Sequence, residues 1–135
     1  MADQKVSYTL DGKVAVLRID DGKANAVSAE LMDELLEALE RAEREARAVL
    51  MTGRQGRFSA GFDLTVMMAS PDSARDLVKT GAQFLMSLYL HPLPVVVACT
   101  GHALAAGALM LLSADVRIAA EGAFKIGLNE VAIGM

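Results

Sequence analysis

The sequence has little cysteine and no excess of basic charge. Cys99 is the only cysteine among 135 residues, which excludes an internal disulfide and any zinc site built from several cysteines. The formal net charge of -4 argues against a nucleic-acid-binding face, because such a face concentrates lysine and arginine. An anionic ligand would therefore have to be held by local backbone groups and a few cations.

Hydrophobic residues make up 53% of the chain and charged residues 22%, which is enough apolar material for one domain with a buried core. The N-terminal segment "MADQKVSYTL" lacks the basic-then-apolar layout of a signal peptide, and we therefore expect a cytoplasmic protein. Residues 93–114 contain no Asp, Glu, Lys or Arg, and by length alone they could span a bilayer. Pro92 and Pro94 precede a β-branched run, however, and Gly101 separates that run from an alanine-rich helical pattern. This order favours a buried strand, a turn and a buried helix over a membrane helix.

Local signals predict strands that alternate with helices, which indicates an α/β fold. Two alternating segments separated by the Asp-Gly pair at 11–12 predict a β-hairpin. Ser28 predicts the N-cap of a first helix that ends near Arg47, and Ser70 followed by Pro71 predicts the start of a second helix. The expected buried positions are Leu31, Leu35, Leu36, Leu39 and Ala42 in the first helix and Leu77, Gly81, Phe84, Leu85 and Leu88 in the second.

The remaining segments are shorter. Between the two helices, "AVLMTG" predicts a buried strand and "RQGRFSAGFDLTVMM" a loop rich in small residues. After the second helix we expect a strand over 95–100, a helix over 104–113 and two further strands, "DVRIA" and "AFKI". The sequence ends in the apolar run "VAIGM", from which we expect it to be part of a longer domain.

Small residues concentrate in three stretches, "GRFSAGFDL", "GHALAAGALM" and "KIGLNEVAIG". Glycine or alanine after a strand lets a ligand approach backbone that a larger side chain would cover. Two such turns that converge in space could direct two backbone N–H groups at one oxygen, which is the arrangement of an oxyanion hole. If Ala106 opens its helix, its N–H is an unpaired first-turn donor at the positive end of the helix dipole. Taken alone, each stretch is explained equally well by close packing of helix on strand.

Taken in order, the motifs resemble the crotonase (enoyl-CoA hydratase/isomerase) superfamily. "KANAVSAELMDELLEALE" is similar to its N-terminal strand-to-helix segment, and "GRFSAGFDL" to its first oxyanion and CoA-binding loop. The segment from "HPLP" to "NEVAIG" is similar to its second oxyanion loop, core helix and catalytic turn. The resemblance implies a repeated β-β-α spiral, with residues 1–135 as the N-terminal part of a single domain whose C-terminal helices are missing. It also implies an acyl-CoA substrate, no cofactor beyond the CoA moiety, no metal, no nucleic-acid or membrane partner, and a homotrimer or dimer of trimers.

The same resemblance assigns roles to residues in both turns. It puts the two oxyanion donors at the backbone N–H groups of Ala60 and Ala106, although the family usually has glycine at the second position. A backbone donor tolerates this change, provided that the methyl group finds room beside the thioester. The CoA-binding residues that the resemblance implies are Ala24 and Ala26 at the nucleotide end and Ala60, Gly61, Phe62 and Asp63 along the CoA path.

Two further positions determine the chemistry that the resemblance implies. Hydratases of the family hold a water between two glutamates, of which the first falls on Leu109 and the second on Glu130. One carboxylate beside a polarised thioester can remove a proton from C2 and return it at C4. The pattern is therefore most similar to the Δ3,Δ2-enoyl-CoA isomerases, with Glu130 as base and then acid. Hydration, thioester hydrolysis by Glu130 alone, and an inactive CoA-binding scaffold stay open as alternatives.

Several of these residues also have plain structural explanations. Without the resemblance, Glu130 would be interpreted as a solvated surface glutamate. His102 is better explained as a hydrogen-bonded structural histidine than as a general base, and Cys99 as inert packing in a buried strand. Three methionines either shape an acyl tunnel or fill gaps in the core: Met67, Met68 and Met110.

Overall fold

The computed structural model describes residues 3–135, in which strands and helices follow a repeating order. In chain order the elements are β1 (Val6–Asp11), β2 (Val14–Ile19), β3 (Ala26–Val27), α1 (Ala29–Glu45), β4 (Ala48–Thr52), β5 (Gly56–Ser59), β6 (Gly61–Phe62), α2 (Leu64–Met67), α3 (Pro71–Tyr89), β7 (Val95–Cys99), β8 (Gly101–Leu104), α4 (Ala106–Ser113), β9 (Val116–Ala119), β10 (Ile126–Gly127) and a closing 3-10 turn (Val131–Ile133). A strand, a short strand and a helix recur as β2-β3-α1 and as β7-β8-α4. The unit between them, β4 to α3, follows the same order with a second short strand and the one-turn helix α2 added. The α/β class and the β-β-α order are thereby confirmed.

The first strands of these units, β2, β4 and β7, form one sheet with β1 and β9, in the order β1-β2-β4-β7-β9. β1 and β2 are antiparallel and form the predicted hairpin, closed by a turn in which Gly12 has a φ of 57°, while the other neighbours are parallel. The short strands form a parallel sheet, β10-β8-β5, and a parallel pair, β3-β6. Because parallel neighbours end at the same edge of a sheet, the turns that follow β5, β8 and β10 lie next to one another.

The predicted apolar faces of the two long helices form the core together with the five-stranded sheet. Ser28 Oγ accepts the Leu31 N–H at 3.2 Å and begins α1, and Ser70 caps α3 with Pro71 in its first turn. α1 packs on β1, β2 and α3, and α3 also packs on α4. The positions expected in the core of α1 and α3 are buried, except for Leu36 and Leu85, which are half-buried. Local capping and periodicity therefore located both helices.

Four details differ from their prediction. The stretch expected as a loop contains β5, β6 and the one-turn helix α2, and the helix expected over 104–113 begins at Ala106. Gly101 starts β8 rather than ending a strand, because β5 and β8 pair closely: a Cβ on Gly101 would collide with the backbone of Gly56. Of the segment "AFKI", only Ile126 is in a strand, the two-residue β10. Each of these short strands depends on a partner far away in the sequence.

The uncharged segment at residues 93–114 is divided among β7, β8 and α4, so it is not one long helix. Within residues 3–135, each helix is too short or too polar to cross a bilayer. The cytoplasmic location stays a prediction.

Candidate active site

Two turns rich in small residues touch where β5 and β8 end. A Cβ on Gly61 would lie 2.7 Å from the Ala105 Cβ and 3.3 Å from the Ala106 nitrogen. A Cβ on Gly107 would lie 2.6 Å from the Ser59 carbonyl oxygen. Real Cβ atoms do not come within 3 Å of such neighbours, so only glycine permits this contact between the two backbones. The predicted convergence of the two turns is therefore present.

Ala106 is the first residue of α4. Its N–H belongs to the first helical turn, where the helix itself offers no acceptor, and no side chain caps this end of the helix. Only 2% of Ala106 is exposed, so the donor lies in protected surroundings at the positive end of the helix dipole. This N–H has the properties that an oxyanion donor requires.

The N–H of Ala60 is already used within the fold. It donates to the Ala24 carbonyl oxygen at 3.0 Å. An N–H held by a protein carbonyl is not preorganised to meet a substrate oxygen, which is the requirement for an oxyanion donor. The assignment of Ala60 as the first donor is therefore wrong for this structure.

In this turn, the backbone N–H of Phe62 is the one left after those of its neighbours are assigned to acceptors. The Gly61 N–H donates to Ser59 Oγ at 3.2 Å, and the Asp63 N–H donates to the Val27 carbonyl oxygen at 3.0 Å. Successive N–H groups of a strand point to opposite sides, and that of Asp63 points towards β3. The N–H of Phe62 therefore points away from β3, which makes it the available donor of the first turn.

A buried polar network, not predicted from the sequence, holds this first turn. Asn25 is fully buried and has a φ of 54°. Its side-chain amide donates to the carbonyl oxygens of Ile19 at 3.0 Å and Phe58 at 3.1 Å. Ser59 Oγ donates to the Asn25 carbonyl oxygen at 2.7 Å and accepts from Gly61. The available signal was an asparagine three residues after the Asp-Gly pair at 21–22, since asparagine tolerates left-handed backbone better than most residues.

Glu130 lies in the turn that follows β10, directly before the closing 3-10 turn. The residue is half-buried, and its Oε2 atom is buried without a hydrogen-bond partner in the described part of the chain. A buried polar atom that lacks a partner is costly, and such atoms are found at reacting groups. The Ala105 N–H donates to the Gly127 carbonyl oxygen at 3.0 Å, which ties the turn of Glu130 to the start of α4.

Leu109 follows Ala106 by one turn of α4 and is half-buried. It faces an apolar groove between α3 and α4 whose other lining residues are Ala82, Leu85, Met86, Tyr89, Leu112 and Ser113. None of these side chains is a carboxylate, so the position of a second glutamate is apolar here. Met110, the next residue, is fully buried, which favours the core-filling explanation for that methionine.

Two clefts border the first turn and contain part of the expected CoA-binding set. Ala24 and Ala60 line a cleft of about 280 Å³ together with Arg57, Ser59, His102, Leu104 and Lys125. Ala24, Ala26 and Asp63 line a second cleft of about 340 Å³ together with Lys5, Asp21, Lys23, Ser28 and Thr65. Although the chain is acidic overall, the first cleft is bordered by Arg57 and Lys125 and by no carboxylate, which suits an anionic ligand. The second cleft is bordered by two lysines and two aspartates. Gly61 and Phe62 line neither cleft: Gly61 packs on the start of α4, and the Phe62 ring packs on Gly81 of α3.

His102 and Cys99 have structural partners. His102 Nδ1 accepts the Lys125 N–H at 3.0 Å, and its ring meets the edge of Phe124 at 5.4 Å between centroids. Burial raises the pKa of the Cys99 thiol, and the thiol donates a hydrogen bond to the Gly101 carbonyl oxygen at 3.1 Å. A thiol held in its protonated form is a poor nucleophile. These contacts agree with the structural explanation of both residues.

Comparisons with known proteins agree with this geometry. The sequence model of the family described as "Enoyl-CoA hydratase/isomerase" matches residues 9–135. The chain is 35% identical to "Probable enoyl-CoA hydratase" of Bacillus subtilis (strain 168), over 96% of this chain and 52% of that protein. It is 37% identical to the human protein "Enoyl-CoA delta isomerase 1, mitochondrial", over 90% of this chain and 42% of that protein. The crystal structure of an enoyl-CoA hydratase/isomerase family protein from Pseudomonas syringae matches with a TM-score of 0.94 and 47% identity, covering 97% of this chain and 57% of that one.

This chain spans about half the length of the curated relatives that it matches. Within that span, the sequence match, the fold and the two touching turns agree, and the chain belongs to the enoyl-CoA hydratase/isomerase (crotonase) family.

Proposed function

We propose that this chain carries the oxyanion hole and the acid/base carboxylate of an enoyl-CoA isomerase, which converts 3-enoyl-CoA to 2-enoyl-CoA. The observation that carries this choice is the contrast between Leu109 and Glu130. Glu130 has a buried oxygen without a partner in the described chain, whereas the groove that Leu109 faces is lined by no carboxylate. A single carboxylate suffices to move a proton from one carbon of the substrate to another. Hydration in this family uses two carboxylates to hold the water, and Leu109 replaces one of the two here.

In the proposed reaction the thioester oxygen accepts hydrogen bonds from the N–H groups of Phe62 and Ala106. Glu130 takes the proton from C2, and the electrons of that C–H bond form a dienolate whose oxygen lies between the two donors. Glu130 then returns the proton to C4, which leaves the double bond between C2 and C3. Each donor is worth about 2.7–4 kcal/mol of barrier, and a positioned carboxylate about 10²–10⁴-fold in rate. The reaction as proposed needs no metal and no cofactor beyond the CoA of its substrate.

The CoA moiety is proposed to follow the two clefts beside the first turn. Arg57 and Lys125 border the first cleft without a carboxylate beside them, so phosphate groups would find cations there. In the second cleft, Lys23 lies beside Asp21 and Asp63. The side chains of Ala24, Ala26 and Ala60 are small and leave the clefts open, which suits a long and flexible ligand. Ala60 thus keeps its proposed place beside CoA although its N–H is not the oxyanion donor.

A homotrimer or a dimer of trimers is the proposed assembly. Support comes from large apolar side chains that are exposed on successive elements towards the end of the chain: Leu112, Val116, Ile118, Ile126, Leu128, Val131 and Ile133. Exposed apolar surface of this extent is typical of a face that is covered in the whole protein, by another subunit or by the part of the domain that this chain does not span. Sedimentation of the purified protein at several concentrations measures the assembly directly.

The test of the reaction supplies the full chain with a 3-enoyl-CoA and records the ultraviolet absorbance of the conjugated 2-enoyl thioester. Glu130→Gln should lower the rate by about 10²–10⁴-fold, because it removes the general base and acid. Glu121→Gln is the matched control, since Glu121 is an exposed glutamate close by in the sequence. An undiminished rate in Glu130→Gln would exclude the proposed mechanism.

Hydration is the second candidate, because one of the relatives reported above is named a probable enoyl-CoA hydratase. A hydratase would consume added 2-enoyl-CoA and leave 3-enoyl-CoA unchanged. Leu109→Glu should give the chain detectable hydration activity, since it adds the second carboxylate that could help to hold a water. Release of free CoA would instead indicate thioester hydrolysis, and binding without turnover would indicate a scaffold.

A further inference from the structure

Ala105 has a backbone conformation that alanine rarely adopts. Its φ of 52° and ψ of -122° are those of the first central residue of a type II′ turn, a position that glycine dominates. Within residues 3–135, the other non-glycine residue with positive φ is Asn25, which supports the first donor turn. Residues persist in such conformations where surrounding contacts determine them, and they cluster at functional sites.

Three contacts hold Ala105, and each leads to a different part of the proposed site. Its N–H donates to the Gly127 carbonyl oxygen at 3.0 Å, in the turn that leads to Glu130. Its carbonyl oxygen accepts the Leu109 N–H at 3.1 Å and so begins the hydrogen bonding of α4. Its methyl group lies 2.7 Å from the position that a Cβ on Gly61 would occupy, so it packs directly on the Gly61 α-carbon.

The conformation of Ala105 also sets the direction of the second donor. The ψ angle of one residue orients the peptide plane that carries the N–H of the next residue. With ψ fixed at -122°, the Ala106 N–H has one direction relative to β8 and to Gly61. Without the methyl group, residue 105 would lose its contact with Gly61 and gain access to other regions of φ and ψ.

We propose that Ala105 is a positioning residue, whose methyl group and fixed backbone aim the Ala106 N–H at the thioester oxygen. This inference rests on the proposed function, because it takes the Ala106 N–H to be an oxyanion donor. Ala105 itself forms no bond with the substrate. Its effect on the reaction passes entirely through the Ala106 N–H and the turn of Glu130.

The substitution Ala105→Gly tests this role because it should change stability and turnover in opposite directions. We expect the Tm to rise by a few degrees, because relief of the positive-φ alanine outweighs the larger freedom of glycine in the unfolded chain. We expect kcat with 3-enoyl-CoA to fall about tenfold and KM to change less than about twofold, a smaller loss than the 10²–10³-fold that follows complete removal of a donor. The matched control Ala38→Gly, within α1, should lower the Tm and leave kcat unchanged.

An Ala105→Gly variant with a higher Tm and an unchanged kcat would overturn the positioning role, and a lower Tm would overturn the conformational argument. Amide hydrogen exchange in the unliganded chain separates this inference from the proposed function. The N–H of residue 105, which bonds to Gly127, should exchange about tenfold faster in the variant, even if the wild-type chain converts no enoyl-CoA. Unchanged exchange would overturn the effect of Ala105 on the turn. Faster exchange with an inactive wild type would support that effect and refute the isomerase proposal, together with the aiming of the Ala106 N–H at a thioester.

Discussion

Replacing Ser59 with alanine should lower the free energy of unfolding by more than the loss of one hydroxyl group suggests. Only 1% of Ser59 is exposed, and its Oγ both donates to the Asn25 carbonyl oxygen at 2.7 Å and accepts the Gly61 N–H at 3.2 Å. Alanine leaves both of these backbone groups without that partner, at about 1–3 kcal/mol for each buried unsatisfied group. Because groups of one network are not additive, we expect a loss of about 2–4 kcal/mol in the free energy of unfolding.

Urea unfolding of Ser59→Ala and Ser87→Ala measures this cost against a matched control. Ser87 is an exposed helical serine whose Oγ donates to the Gln83 carbonyl oxygen at 3.0 Å, so its replacement should change the free energy of unfolding by less than about 0.5 kcal/mol. The proposed function adds a second readout, since a loosened Gly61 should also misdirect the Phe62 N–H and lower kcat. Equal stability of the two variants would refute the argument that the Asn25–Ser59 network holds the first turn.

Two further predictions concern pH. Burial acts to raise the pKa of Asp21, but hydrogen bonds from the backbone N–H groups of Asn25, Lys23 and Ala26 outweigh it and lower the pKa. The stability that Asp21 contributes should therefore be present above its unfolded pKa of about 3.9. It should be lost as the pH falls through the lower folded pKa. In urea unfolding at several pH values, the advantage of the wild type over Asp21→Asn should shrink in acid, and an advantage that does not change with pH would contradict this. Burial raises the pKa of Cys99, so stability should fall as the pH rises above the ordinary thiol value of about 8.5, a slope that Cys99→Ala should lack. Alkylation of Cys99 at pH 8 should be slow in the folded chain and fast in urea, and equal rates would show that the thiol is not protected.

Local signals in the sequence were sufficient for the hairpin and both long helices. Ser28, Ser70 and Pro71 mark helix starts through hydrogen bonds and torsion angles within a few residues of themselves. The short strands β5, β6 and β8 have no such signal. Gly56 and Gly101 pair across a long stretch of chain, and their close approach depends on the packing of the whole fold.

The same difference between local and long-range interactions explains which residues of the site could be predicted from the sequence. The helix was predicted from 104 and begins at Ala106, so the condition set for an unpaired Ala106 N–H is met, because a helix start leaves its first N–H groups unpaired wherever it occurs. Ala60 was misassigned because its N–H is taken by the Ala24 carbonyl oxygen, a contact that only the tertiary structure creates. Asn25 was overlooked because its importance comes from burial and from acceptors on other segments, neither of which is visible in its neighbours.

The two proposed donors are main-chain groups, and this affects what substitutions can reveal. Every amino acid except proline brings its own N–H to a position, so a survey of variants at 62 and 106 would record steric tolerance rather than chemical need. Loss of activity on substitution would instead concentrate at residues that do not contact the ligand. Examples are the glycines whose lack of a side chain lets neighbouring backbone segments approach each other. A map of intolerant positions on this chain would therefore mark Glu130 and the surroundings of the two donors, and leave the donors themselves unmarked.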